Sequence, residues 1–258
     1  MLNRLLARVG LVTPEQRAWA WYDWANSAFV TTVGTVLFGP YITGIAENAA
    51  CPDLADGLEC ATNLHVLGVP VAAGSIAPFT TTFATIFSAI VLIFIGAIAD
   101  RSPRPARLLG LFAWAGSVSA ALLFFVTGTQ WALGSVAMIL ATIFLGASLV
   151  VYDSILCRIA TPDERDKVSS RGWALGYLGG GLLLAVNLLL VGSPEKFGLT
   201  TASAARVSML SAAAWWAVFT LIPVIGMWRL RGQEKLVVDA KAGIVGGSIA
   251  QLRSTFSD

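Results

Sequence analysis

Long uncharged apolar runs, separated by short charged or turn-like stretches, set the pattern of this chain. The first covers Trp19 to Thr43, and 23 uncharged residues lie between Asp23 and the next charge, Glu47. At ~1.5 Å per residue, a helix of that length crosses a ~30 Å hydrocarbon core. A polar connection with Glu47, Asp53, Asp56 and Glu59 follows over 46–75, and then a threonine-rich span with Thr80, Thr81, Thr82 and Thr85. Between Arg107 and Asp153 there are 45 residues without a charge, ~67 Å of helix, which is two spans rather than one. The turn-like cluster Thr127-Gly128-Thr129-Gln130 divides them. The pattern predicts six transmembrane helices, at about 18–45, 76–99, 108–126, 131–159, 172–191 and 207–228, in an all-α polytopic membrane protein. Residues 1–17 and 231–258 are tails, and Thr161 to Arg171 is a polar loop in which Pro162 begins a short helix. Nothing reads as a strand.

Composition agrees: 56% of the 258 residues are hydrophobic and 12% charged, against roughly 25% charged in soluble domains. Charge then orients the spans. Fifteen of the seventeen lysines and arginines fall on the side that holds both ends, leaving Lys196 and Arg206 on the other. The positive-inside rule puts both termini in the cytoplasm, and the expected location is a bacterial plasma membrane. Trp19, Trp21, Trp173 and Trp228 at the inner boundaries and Trp131 at an outer one fit an interfacial aromatic belt. The N-terminal stretch with Arg4, Arg8 and Arg17 is either an amphipathic surface helix or a plain basic tail. Cys51 and Cys60, nine residues apart on the outer side, are either a disulfide or two free thiols. Three cysteines and one histidine give no clustered metal site, and no basic face suits nucleic acid. No metal-binding helix motif is present and His65 lies in the outer loop, so no enzyme and no cofactor are expected.

Two carboxylates fall inside the spans. Asp23 and Asp153 each lie ~8–9 Å in from the inner boundary, and each follows a tyrosine, Tyr22 or Tyr152. Asn26 stands one turn on from Tyr22 and Asp23, on their face. Charge within a span is costly and by default functional, so a central cavity lined by spans one and four would carry a polar layer for a solute or a proton. The competing readings are a wet helix end in which Arg17 or the N-terminal tail holds Asp23, and a pair between Asp153 and Arg158. Gly172, Gly176 and Gly180 recur every four residues, which suits close helix packing in lipid. Asn187, Trp215 and Trp216 face either the cavity or a neighbouring helix.

The string Gly96-Ala-Ile-Ala-Asp100-Arg101-Ser-Pro-Arg104 resembles the signature loop of the major facilitator superfamily, with departures at Pro103 and Pro105. The resemblance implies that Asp100, with Gly96, Arg101 and Arg104, latches one side of a transporter shut. Tyr22-Asp23-Trp24-Ala25-Asn26-Ser27-Ala28-Phe29, the stretch Val168 to Gly181 and the pair Trp215-Trp216 resemble the vacuole-effluxer-like branch, whose members resemble an autophagy-related vacuolar amino-acid exporter. That branch tends to have asparagine where this chain has Asp153. Its members have twelve helices, and the segment from Ser248 to Phe256 resembles their central loop, so the resemblance implies an N-terminal half built of two inverted three-helix repeats. The function it implies is alternating-access transport of a small polar solute such as an amino acid. The partners are then the lipid bilayer, the solute and a second six-helix half, either another copy or a separate chain. The alternative is a six-helix subunit that acts by homo- or hetero-oligomerising without transport of its own.

Overall fold

The structure is a computed structural model that describes residues 10–53 and 60–230. The N-terminal tail with Arg4 and Arg8, the acids Asp56 and Glu59, and the segment from Ser248 lie outside the described residues. Six helices are long and apolar enough to cross a membrane: α1 (Pro14–Ala50), α2 (Ala73–Arg101), α3 (Pro105–Phe125), α4 (Trp131–Ile159), α5 (Pro162–Gly192) and α6 (Thr201–Gly226). The protein is an all-α, multi-pass membrane protein.

Local chemistry sets the helix ends. α1 starts in a capping box in which Thr13 and Gln16 satisfy each other's backbone N–H groups, with Pro14 in the first turn. α5 starts from a related box, in which the Glu164 carboxylate accepts from the Thr161 N–H at 3.2 Å and from its hydroxyl at 2.9 Å, with Pro162 in the first turn. That box corrects one boundary: Thr161 to Arg171 is the first third of one continuous 31-residue helix, because a cap, a first-turn proline and helix-forming charged residues outweigh its polarity. Between α3 and α4 the turn is made by Gly128, at φ 58°, and by Gln130, whose side-chain oxygen accepts from the Thr127 N–H at 3.0 Å.

A second correction concerns the polar connection after α1. Strands β1 (Asn63–Val66) and β2 (Val69–Ala72) form an antiparallel hairpin there, turned by Leu67 at φ 51° and Gly68 at φ 84°. Four-residue strands are too short to alternate visibly, and Leu-Gly lacks the Asn or Asp that usually announces a turn with two positive φ angles. Cys51 and Cys60 are joined by a disulfide, Cα to Cα 5.9 Å, between α1 and this hairpin.

The helices alternate in direction. Gln16 at the start of α1 donates its side-chain amide to the Ile159 carbonyl at the end of α4. Arg158 donates to the Ala99 carbonyl at the end of α2. These termini form a basic end, whereas Tyr41 and Val126, bonded at 2.5 Å, belong to the hairpin end. α1 packs chiefly on α5, α2 on α4, α3 on α4 and α6, and α1 also on α6. Exchanging the first three helices for the last three maps the α1–α5 seam onto α4–α2 and the α1–α6 seam onto α4–α3. Because α1 and α4 run in opposite directions, the two triplets are inverted copies in their packing scheme. Lipid gives little hydrophobic drive for helices to associate, so the seams use small residues that let backbones approach. On α4 these are Gly134, Ser135, Ala137, Ala141, Ala147 and Ser148, all buried.

The middle of α1 departs from a regular helix. Phe29–Leu37 is wound as a π-helix, and Thr35 donates its hydroxyl to the Val30 carbonyl five residues back at 3.0 Å. Nothing in the sequence pattern signalled this widened segment.

Candidate functional site

The site is built where α1, α4 and α5 meet. Asp23 sits on the buried face of α1 and is only 8% exposed. The Tyr152 hydroxyl, from α4, donates to Asp23 Oδ2 at 2.7 Å. Tyr152 is itself fixed: Trp19 stacks on its ring at 4.0 Å and donates its indole N–H to the Tyr152 carbonyl at 2.9 Å. The third wall is α5, whose Gly172 is so close that an added Cβ would stand 2.6 Å from Asp23 Oδ2, 2.9 Å from the Tyr152 hydroxyl and 3.0 Å from the Trp19 ring. One turn on, a Cβ at Gly176 would stand 2.6 Å from Ser27 Oγ, and at Gly180 2.9 Å from the Ser27 carbonyl. The three glycines thus lie along the α1–α5 seam, joined by Gly179 against Trp24.

A second polar chain runs beside this pair. The Tyr22 hydroxyl donates to Ser148 Oγ at 2.5 Å, and Ser148 passes a bond to the Leu145 carbonyl at 2.6 Å. The Trp216 indole N–H reaches the Tyr22 hydroxyl from α6 at 3.4 Å, and Asn26 donates to the Tyr22 carbonyl at 2.7 Å. Tyr22, Asp23, Asn26 and Tyr152 therefore converge within one buried layer shared by α1 and α4. Asp153 does not join it. Next to Tyr152 on the helix, it turns outward and is exposed, with no side-chain hydrogen bond among the described residues.

The arginines named for the two acids are engaged elsewhere, and the N-terminal tail, the other group named for Asp23, lies outside the described residues. Arg17 donates to the Leu11 and Val12 carbonyls rather than to Asp23. Arg158 donates to the carbonyls of Ala99 and Asp100, placing its charge at the negative end of α2 rather than on Asp153. The Asp100 and Arg104 side chains are exposed at the basic end, and Gly96 and Arg101 are half-buried. Trp216 is fully buried, Trp215 donates to the Trp24 carbonyl at 3.1 Å, and Asn187 accepts from Ser211 at 3.1 Å, so all three make helix contacts.

Ser148, Trp19 and the placement of Gly172 beneath the Asp23–Tyr152 pair were missed by sequence reasoning. Ser148 precedes Tyr152 by one turn, the same spacing that drew Asn26 to Tyr22, and that signal was available. Among the described residues no group of three or more His, Cys, Asp or Glu side chains is arranged to hold a metal ion. The arrangement offers a single carboxylate with one strong donor, shielded from lipid by glycine backbone. Such a group can take up or give up a proton when the helices covering it move apart.

Comparison with known proteins gives the family. The family described as vacuole effluxer Atg22 like matches residues 13–258. An uncharacterised MFS-type transporter of Bacillus subtilis, YxiO, is 29% identical over 216 residues, covering 83% of this chain and 46% of that protein. Autophagy-related protein 22-1 of Phaeosphaeria nodorum is 24% identical over 203 residues, covering 64% of this chain and 36% of that protein. Autophagy-related protein 22-2 of Neosartorya fischeri is 33% identical over 104 residues, covering 40% and 17%. The chain spans about half the length, or less, of these relatives. No solved structure matches. With the match running from the cap of α1 through every helix, the chain belongs to the vacuole effluxer Atg22-like family of MFS-type transporters.

Proposed function

We propose that this chain forms one six-helix half of a secondary active transporter that exports a small polar solute, of the amino-acid class, by alternating access. The observation that carries the reading is Asp23, a carboxylate kept inside a membrane bundle with one strong donor, Tyr152, and closed over by Gly172. An acid in that position is costly unless it works, and its cover is a seam of glycines along which α5 can shift on α1. Tyr22, Asn26 and Tyr152 are the neighbouring groups for the solute or the proton. Asp153, outside that layer on the exposed surface of α4, is the acid that would face a second half. Asp100 with Gly96, Arg101 and Arg104 is the latch at the basic end, which we place in the cytoplasm together with both termini. The membrane is a bacterial plasma membrane.

A second half is part of this reading. α2 carries Phe79, Phe83, Phe87, Ile90 and Phe94 exposed along one side, and α5 carries Tyr177, Leu178, Leu182, Val186 and Leu189. Apolar faces on membrane helices suit lipid and a helical partner alike, and the alternative is a subunit that acts by pairing without transport. Proteoliposomes holding the chain with its second half separate the two. Proton-gradient-driven amino-acid flux that Asp23→Asn abolishes, with the assembly still intact by native mass, is the expected result. Flux unchanged by Asp23→Asn overturns the role given to the acid, and an intact assembly with no flux for any small polar solute selects the pairing subunit.

A further inference from the structure

Arginines more than a hundred positions apart in the chain meet at the basic end of the bundle. Arg104 and Arg107 come from the start of α3, and Arg229 with Trp228 follows the end of α6. Together these four residues line a cavity of about 180 Å³. Arg107 lies over the Trp228 ring at 4.7 Å, which fixes one guanidinium at the cavity wall. Among the described residues no carboxylate lines the cavity, and α3 begins there with no side-chain cap on its first N–H groups. The positive end of a helix therefore adds to three positive side chains.

The level of the cavity in the membrane says what it meets. The uninterrupted apolar run of α3 starts at Leu108, one residue beyond Arg107, and α6 ends two residues before Trp228. The cavity sits where the hydrocarbon stops, at the depth of lipid phosphates, and Trp228 occupies the interfacial position typical of tryptophan. Arg229 also edges a neighbouring cavity of about 440 Å³ that contains Glu15 and Arg158. Glu15 repels an anion on that side, which leaves the α3 side as the favoured seat.

We propose that Arg104, Arg107, Trp228 and Arg229 bind the phosphate headgroup of an acidic phospholipid, holding the basic ends of α3 and α6 together. Arginine forks match phosphate oxygens, and basic clefts between transmembrane helices suit anionic headgroups.

The test is native mass spectrometry of the full chain in detergent with equimolar phosphatidylglycerol and phosphatidylcholine. Wild type should retain phosphatidylglycerol preferentially. Each basic group near the surface is worth about fivefold in binding, so Arg107→Gln/Arg229→Gln should lower that preference by up to ~25-fold. Lys196→Gln, at the opposite end, should leave it unchanged, and thermal melts should show the double variant still folded. A preference that survives in the double variant, or that Lys196→Gln lowers equally, overturns the proposal. Displacement of the lipid by millimolar inorganic phosphate also overturns it, because the site would then belong to a soluble phosphate.

Discussion

Replacing Gly172 by alanine puts one methyl group into the most crowded point of the site. The new Cβ would stand 2.6 Å from Asp23 Oδ2, 2.9 Å from the Tyr152 hydroxyl and 3.0 Å from the Trp19 ring. None of the three can retreat freely. Asp23 and Tyr152 hold each other at 2.7 Å, and Trp19 is pinned by its stack on Tyr152 and its bond to the Tyr152 carbonyl. α5 must move off α1, or the hydrogen bond must open. Overpacking of this kind costs about 1–3 kcal/mol. A lost side-chain bond between membrane helices adds about 0.6 kcal/mol on average. Alanine's better helix propensity returns up to about 1 kcal/mol. The net expectation is a loss of about 1–3 kcal/mol.

Gly181 supplies the control on the same helix, since a Cβ there meets nothing within 4 Å. Gly181→Ala should be neutral or stabilising by up to about 1 kcal/mol. Unfolding of both variants in one detergent, or by steric trapping in bicelles, measures the difference directly. In a second cycle Tyr152→Phe removes one of the three obstructing atoms, so Gly172→Ala should cost less in that background. If Gly172→Ala proves as stable as Gly181→Ala, the close approach of α5 to the acid is wrong and the site must be redrawn.

Tyr152→Phe alone leaves Asp23 without its donor, and should lower stability by about 0.5–1.5 kcal/mol and slow any Asp23-dependent flux; equal flux and stability would remove Tyr152 from the site. Maleimide labelling of the folded chain should modify one thiol, the exposed Cys157, and three after reduction, because Cys51 and Cys60 are bonded. Thr161→Ala removes the capping box of α5 and should cost about 0.5–2 kcal/mol in the same unfolding assay, whereas the exposed Ser170→Ala should change little.

The number of helices and the line of the bundle were legible because length and charge spacing decide them. A 45-residue uncharged run has only one way to fit a bilayer core, and the break fell at Gly128, where the chain turns with positive φ. What escaped was local structure that polarity does not encode. The N-terminal third of α5 is polar and yet helical, held by its cap, and the hairpin is too short for its alternation to stand out. The π-helical segment of α1 depends on how Phe29–Leu37 packs against its neighbours, and no residue in it marks the extra turn width.

The two acids show where sequence reasoning reaches its limit. Asp23 and Asp153 follow tyrosines at the same depth, on helices that exchange under the pseudo-symmetry of the bundle. Their surroundings differ: α4 turns Tyr152 toward α1 and leaves Asp153 exposed. α1 is covered by α5, which brings Gly172, Gly176, Gly179 and Gly180, so that a carboxylate and its tyrosine partner fit against bare backbone. α4 is covered by α2, and there the small residue is on the other side of the seam: Gly146 of α4 receives Leu92 of α2 so closely that an added Cβ would stand 3.0 Å from it. A glycine cover on α5 leaves room for the buried acid on α1, whereas Asp153 lies on an exposed face of α4. Within a repeat protein of this kind, the residue pair that matters is the acid together with the glycine opposite it on the next helix but three. Neither half of that pair identifies the site alone, and their separation of 149 positions, from Asp23 to Gly172, is why the local motif pointed equally at both carboxylates.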